Sequence, residues 1–104
     1  MGYRDKLLRL EFPDLADDCF VTIKNPKLRP LHHLLRDETP DGDWDAARQA
    51  SNKVRAALIV EWRVWDVDTD EELPPPPVDG TLLDRVPTLI VRTIQNEIDK
   101  AFPQ

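Results

Sequence analysis

Apolar and charged positions alternate near the start of this chain: Leu8, Leu10 and Phe12 are separated by Arg9 and Glu11. A period of two marks a half-buried strand. A second alternation runs from Asp18 to Lys24, with Cys19, Val21 and Ile23 on one face and Phe20 and Thr22 on the other. The short link between them, opened by Pro13-Asp14, predicts an antiparallel hairpin over residues 6–24. It holds no Asn-Gly or Asp-Gly, so a two-residue hairpin turn is not expected.

The period then changes. Asn25-Pro26-Lys27-Leu28-Arg29-Pro30 is a stiff crossing, and Pro30 suits the first turn of a short helix over Leu31 to Arg36, with Leu31, Leu34 and Leu35 on one side. A polar loop with Pro40 and Gly42 leads to Asp43, an N-cap for the main helix. That helix is predicted from Trp44 to Trp65, because Ala47, Ala50, Val54, Ala57, Leu58, Trp62 and Trp65 follow three- and four-residue spacing. Residues 30–65 are thus read as helical. Ala46, Ala47, Ala50, Ala56 and Ala57 would let another helix approach closely, while Ile59, Val60 and Val64 widen the apolar surface.

Residues 66–80 form a connector: an acidic turn, the run Pro74 to Pro77, then Asp79-Gly80. Four prolines cannot be helical and favour an extended polyproline II segment. The stretch 81–102 is helical again, capped by Asp79 or Thr81 and interrupted before Pro87. Val86, Leu89, Ile90, Thr93, Ile94, Glu97, Ile98, Ala101 and Phe102 make it the clearest amphipathic pattern in the chain, and Pro103 is expected to stop it. The predicted fold is one α+β domain over residues 1–104: a short N-terminal antiparallel β-hairpin followed by a mainly helical part with two longer amphipathic helices.

With 104 residues, 40% hydrophobic and 33% charged, the chain can bury one modest core. A net charge of −6 argues against nucleic acid and against anionic membrane surfaces, both of which reward a basic surplus. Apolar runs are too short to span a bilayer. Cys19 is the only cysteine, so no internal disulfide forms; a reducing cytosol suits this composition.

No candidate for chemistry survives its simpler reading. His32 and His33 are adjacent and, on a helix, point about 100° apart, so they do not share a metal. Cys19 inside a strand reads as a small core residue, with no local signature of a nucleophile. Asp66, Asp68 and Asp70 imitate the start of a calcium loop, but Glu71 stands where its glycine belongs and Pro77 where its bidentate glutamate belongs. Three glycines leave no phosphate loop, and Ser51 is the only serine. No cofactor, metal or enzymatic activity is expected. The proline run reads as a rigid linker more readily than as a ligand for an SH3-type groove. Of the tryptophans, Trp44 beside the polar loop is the better exposed contact; Trp62 and Trp65 fit a core equally well.

The order of features resembles the tail assembly chaperones of siphophages, especially those infecting actinobacteria. The matching residues are Leu8-Arg9-Leu10-Glu11-Phe12, Trp62 or Trp65, the acidic turn Asp66 to Glu72, Leu73-Pro74, and Gly80-Thr81-Leu82-Leu83. The four-proline run and the doubled tryptophan depart from the family pattern. The resemblance implies a non-enzymatic protein of the host cytoplasm, absent from the mature virion, that coats the tape measure protein, keeps it soluble and helps recruit the tail tube protein; self-association is allowed. Many members are made in two lengths through a ribosomal frameshift. On this reading the partner would meet the apolar surface of the main and last helices, at Trp44, Val54, Leu58, Trp62, Trp65, Leu89, Ile90 and Ile94. Two other readings are a structural phage component, such as a head–tail connector or tail terminator, and a small acidic inhibitor that mimics nucleic acid. The first calls for a larger sheet, the second for carboxylates spread over one extended face.

Overall fold

The computed structural model describes residues 2–102. Strands β1 (Leu7–Glu11) and β2 (Phe20–Lys24) pair antiparallel, Leu8 opposite Ile23 and Leu10 opposite Val21. These four side chains line the inner face, as the alternation predicts. Between the strands the chain makes tight turns, closed by Phe12 N–H donating to the Cys19 carbonyl at 2.9 Å. Both Phe12 and Cys19 are buried.

A 3-10 turn (Pro26–Leu28), with Asn25 as its cap, packs on the last helix, and a second one spans Leu31–His33 where a short helix was expected. Helix α1 (Trp44–Leu58) begins as read from the sequence: the Asp43 carboxylate accepts the Ala46 N–H at 2.9 Å. It ends seven residues before the predicted Trp65.

After Leu58 the chain enters a third strand, β3 (Ile59–Arg63), antiparallel to β2 in the order β1-β2-β3. The predicted helix to Trp65 is therefore corrected: pairing with β2 takes residues 59–63 into the sheet. Ile59 and Val60 are β-branched and Trp62 is aromatic, all of which sit well on a pleated surface. Ile59 lies opposite Ile23 and Glu61 opposite Thr22, so β3 carries an extra residue, Val60, at a bulge. The bulge turns Ile59 and Trp62, three residues apart, to the same inner face. That spacing imitates a helical period.

Beyond β3 the acidic stretch is a hairpin, not an open loop. Trp65 bridges Glu72, Leu73 N–H donates to the Val64 carbonyl at 3.0 Å, and Asp66 N–H to the Glu71 carbonyl at 2.8 Å. Asp70 takes the left-handed conformation (φ 59°) that closes the turn, which aspartate tolerates better than most residues. The Trp62 indole N–H donates to the Pro74 carbonyl at 2.7 Å, fixing the start of the proline run against the sheet. The run bends at Pro76 and Pro77 rather than continuing as one extended segment.

A 3-10 helix (Gly80–Asp84), capped by the Asp79 carboxylate on Thr81 N–H at 2.9 Å, packs on α1. Glycine suits this close approach: a Cβ at Gly80 would lie 3.2 Å from the Asn52 and Lys53 backbone, a tight contact. The buried Asn52 side chain donates to Asp84 at 3.1 Å and accepts from Arg55 at 2.7 Å, so this seam leaves its polar atoms satisfied. Helix α2 (Thr88–Asp99) comes directly after Pro87. Its stripe Ile90, Ile94, Ile98 is fully buried against Val21, Ile23, Leu58 and Val64 in one core cluster. Pro103, expected to stop this helix, lies outside the described residues. The mixed α+β class holds, with a three-stranded sheet in place of a hairpin and one long helix shorter than predicted. No helix among the described residues is long and apolar enough to cross a membrane.

Candidate partner-binding groove

Half of the residues expected to meet a partner are core. Leu58 (2% exposed), Trp62 (7%), Ile90 and Ile94 (both 0%) cannot be reached without opening the domain. Leu58 ends α1, Trp62 sits on the inner face of β3, and Ile90 and Ile94 belong to the buried stripe of α2, all within one core cluster. The other four lie apart from one another. Trp44 is 84% exposed at the start of α1. Val54 is half-buried between the helices. Trp65 is half-buried beside the acidic hairpin, with the Arg63 guanidinium 5.9 Å from its ring centre. Leu89 is exposed on the first turn of α2.

The structure offers a different assembly around Val54. Helices α1 and α2 touch sparingly, and between them lies a groove of about 320 Å³. Ser51, Val54 and Arg55 form one wall, Gln95, Ile98 and Phe102 the other, and Leu34, Leu35 and Arg36 close it over. Arg55 spans the seam, donating to Gln95 Oε1 at 2.8 Å and to Asn52 Oδ1 at 2.7 Å. Burial pushes its guanidinium down from the ordinary arginine value while Asp99 works in the opposite direction; an arginine remains charged under such pressure. Leu34 is buried and anchors its segment, whereas Leu31 and Leu35 remain about half exposed, each at 53%.

Arg36 also borders a second, more polar hollow of about 470 Å³, bounded by residues 36–44 and Ala47. Trp44 stands at its edge among Asp37, Glu38, Asp41 and Asp43. The two hollows meet at Arg36: one is an apolar slot with arginines at its rim, the other an acidic loop carrying an exposed indole. Sequence reasoning found Trp44 and Val54 but missed Leu35, Arg36 and Phe102. The available signal was the surplus of leucines in Leu31-His32-His33-Leu34-Leu35, more than a single 3-10 turn can bury.

Of the residues weighed for chemistry, Asp66 and Cys19 take structural roles. Asp66 is buried, with side-chain accessibility of 5%. Its carboxylate accepts the Asp68 N–H at 2.8 Å and the Thr69 N–H at 3.3 Å, and pairs with Arg85 at 3.3 Å. The Asp68 backbone bond, then Thr69 and Arg85, hold its carboxyl below the ordinary aspartate value against the opposing pull of burial. A carboxyl depressed by folding stabilises the protein above its unfolded pKa, and that contribution is lost as the pH falls through the folded value. Asp66→Asn is thus expected to lower the melting temperature at neutral pH, with the gap to wild type closing in acid; a gap independent of pH would contradict this assignment. Burial pushes the Cys19 thiol up, away from the thiolate a nucleophile needs. Among the described residues no group of three or more histidines, cysteines and carboxylates is arranged to hold a metal ion.

No protein-family model matches the chain, and none of the curated proteins or solved structures compared with it does.

Proposed function

We propose that this chain works by binding, as a tail assembly chaperone of a siphophage that receives amphipathic helices of the tape measure protein in the groove between α1 and α2. The observation that carries the reading is the apolar slot of Val54, Phe102 and Leu35, which shares Arg36 with the neighbouring hollow where Trp44 is exposed. A helix laid in such a slot buries its apolar face without requiring the chaperone's own core to open. The large exposed side chains Leu31, Leu35 and Trp44 have no role inside the domain that explains them, and a net charge of −6 keeps such a surface soluble before its partner arrives. Of the residues that carry the family resemblance, those from Trp62 to Leu83 act in this reading as the frame: Trp62 ties to Pro74, and the 80–84 turn packs on α1.

The test is co-expression with a tape measure protein encoded by the same phage. The tape measure protein is expected to be soluble and to co-purify with this chain, and to be insoluble without it. Virions purified from the same phage are expected to lack the chain. Tape measure protein that is equally soluble with and without it would overturn the chaperone reading. Expression of the native gene with its downstream DNA, followed by intact-mass measurement, shows whether a longer product shares this N-terminus, as in many members of the family.

A further inference from the structure

The charge of this chain is unevenly distributed. From Cys19 to Arg36 there is no aspartate or glutamate, while Lys24, Lys27, Arg29, Arg36, His32 and His33 all fall in that stretch. The chain around it is strongly acidic. Folding does not neutralise the basic segment: among the described residues none of Lys24, Lys27 and Arg29 pairs with a carboxylate.

At its centre Arg29 is half-buried and makes an unusual bond. Its Nη2 lies 2.9 Å from His33 Nδ1. A guanidinium has no acceptor, so the imidazole must accept, which fixes His33 as the neutral tautomer with its proton on Nε2. The His32 ring lies edge-on to it, with centres 4.2 Å apart. Arg29 Nε is shut off from solvent and has no hydrogen-bond partner. The Nε and Nη2 groups form the side edge of a guanidinium, which takes an oxyanion by two parallel bonds. In Arg29 that edge is occupied by a neutral ring on one donor and by nothing on the other. A buried donor without a partner is costly, and a cation facing a base with no acid nearby is a poor use of it.

We propose that Arg29, with His33 and Lys24, forms a binding site for one oxyanion, a phosphate or carboxylate group that takes the side edge of the Arg29 guanidinium in place of the His33 ring. Once displaced, His33 no longer has to accept from Arg29, and its freed Nδ1 binds a proton and donates to the same anion. The groups facing His33 are Arg29 on its own segment, His32 beside it and Lys24 at the end of β2, all basic; burial first, then these positive neighbours, hold the ring below the ordinary histidine value. An anion reverses that balance. Binding therefore strengthens as the pH falls through the titration of His33. The site is independent of the groove and of the chaperone reading.

The test is a titration of the whole chain with sulfate, whose charge is constant between about pH 5 and 8, and separately with acetate, against chloride at matched ionic strength, following the His33 ring by NMR. Sulfate is expected to shift the His33 ring signals and raise its titration midpoint. Arg29→Gln is expected to weaken sulfate binding about tenfold or more, the worth of a charge-assisted bond. His33→Ala should keep binding but lose its pH dependence. Both substitutions lie on the surface segment, and an unchanged melting temperature confirms that each variant is folded. Sulfate alone acting identifies a phosphate-type ligand; acetate acting as well identifies a carboxylate. No response of His33 to either anion beyond chloride, or equal binding by Arg29→Gln, overturns the proposal.

Discussion

Ile94→Ala is expected to destabilise the domain by about 3 kcal/mol and to lower its melting temperature by roughly 12 °C or more. Ile94 is fully buried at the middle of the α2 stripe, between Ile90 and Ile98, and belongs to the same cluster as Val21, Ile23, Leu58 and Val64. Removing its outer carbons takes apolar area from the core and leaves a cavity that a sheet on one side and a helix on the other cannot easily collapse. In a domain of this size the loss is a large part of the whole stability. Ile90→Asp and Leu58→Asp go further, since each places an unpaired carboxylate where no water reaches, and both are expected to abolish cooperative folding. Circular dichroism melts decide the matter. A folded Ile90→Asp with a wild-type melting temperature would mean that the α2 stripe faces outward and is free for a partner after all.

Trp44→Ala is expected to leave the melting temperature almost unchanged and, on the proposed function, to weaken capture of a tape measure helix by 10-fold or more, on the order of what an aromatic hot spot contributes. The first half rests on exposure: at 84% the indole contributes little to the core, and substitutions at such positions shift stability by only a few tenths of a kcal/mol. The second half rests on Arg36, which borders both the groove and the hollow that holds Trp44. Leu35→Asp should act in the same direction by setting a charge over the slot. Leu89→Asp is the control, because Leu89 is exposed on α2 but is not part of the groove lining. Fluorescence anisotropy with a labelled tape measure peptide reads all three. Wild-type affinity in both Trp44→Ala and Leu35→Asp, or a loss in Leu89→Asp equal to theirs, would move the interface elsewhere on the protein.

The parts of the fold that were legible in the sequence are those whose signal is local. Alternation at Leu8, Leu10, Val21 and Ile23 set the hairpin, because a strand's two faces are a property of its own residues. Ile90, Ile94 and Ile98 set α2 in the same way. Asp43 marked the start of α1 through a bond that spans only three residues. The end of α1 was not legible. With a bulge at Val60, the inner-facing pair Ile59 and Trp62 falls on a helical spacing, and only pairing with β2, far back in the chain, distinguishes the two. The groove was illegible for a related reason: Leu35, Val54, Ile98 and Phe102 come from three separate segments, and no pattern along the chain brings them together.

By itself the sequence determined the class of the protein: a small, acidic α+β chain with an N-terminal hairpin, a capped helix and an isoleucine-striped helix. Those properties depend on composition and on contacts a few residues long. The tertiary structure alone decided which apolar residues are spent on the core and which stay available. Leu58, Ile90 and Ile94 follow the same helical spacing along the chain as Leu31 and Leu35, yet the first three are sealed and the last two exposed. Burial is a property of packing: the third strand turns Ile59 and Trp62 inward, while of the leucines around the histidine pair Leu34 is covered and Leu31 and Leu35 are not.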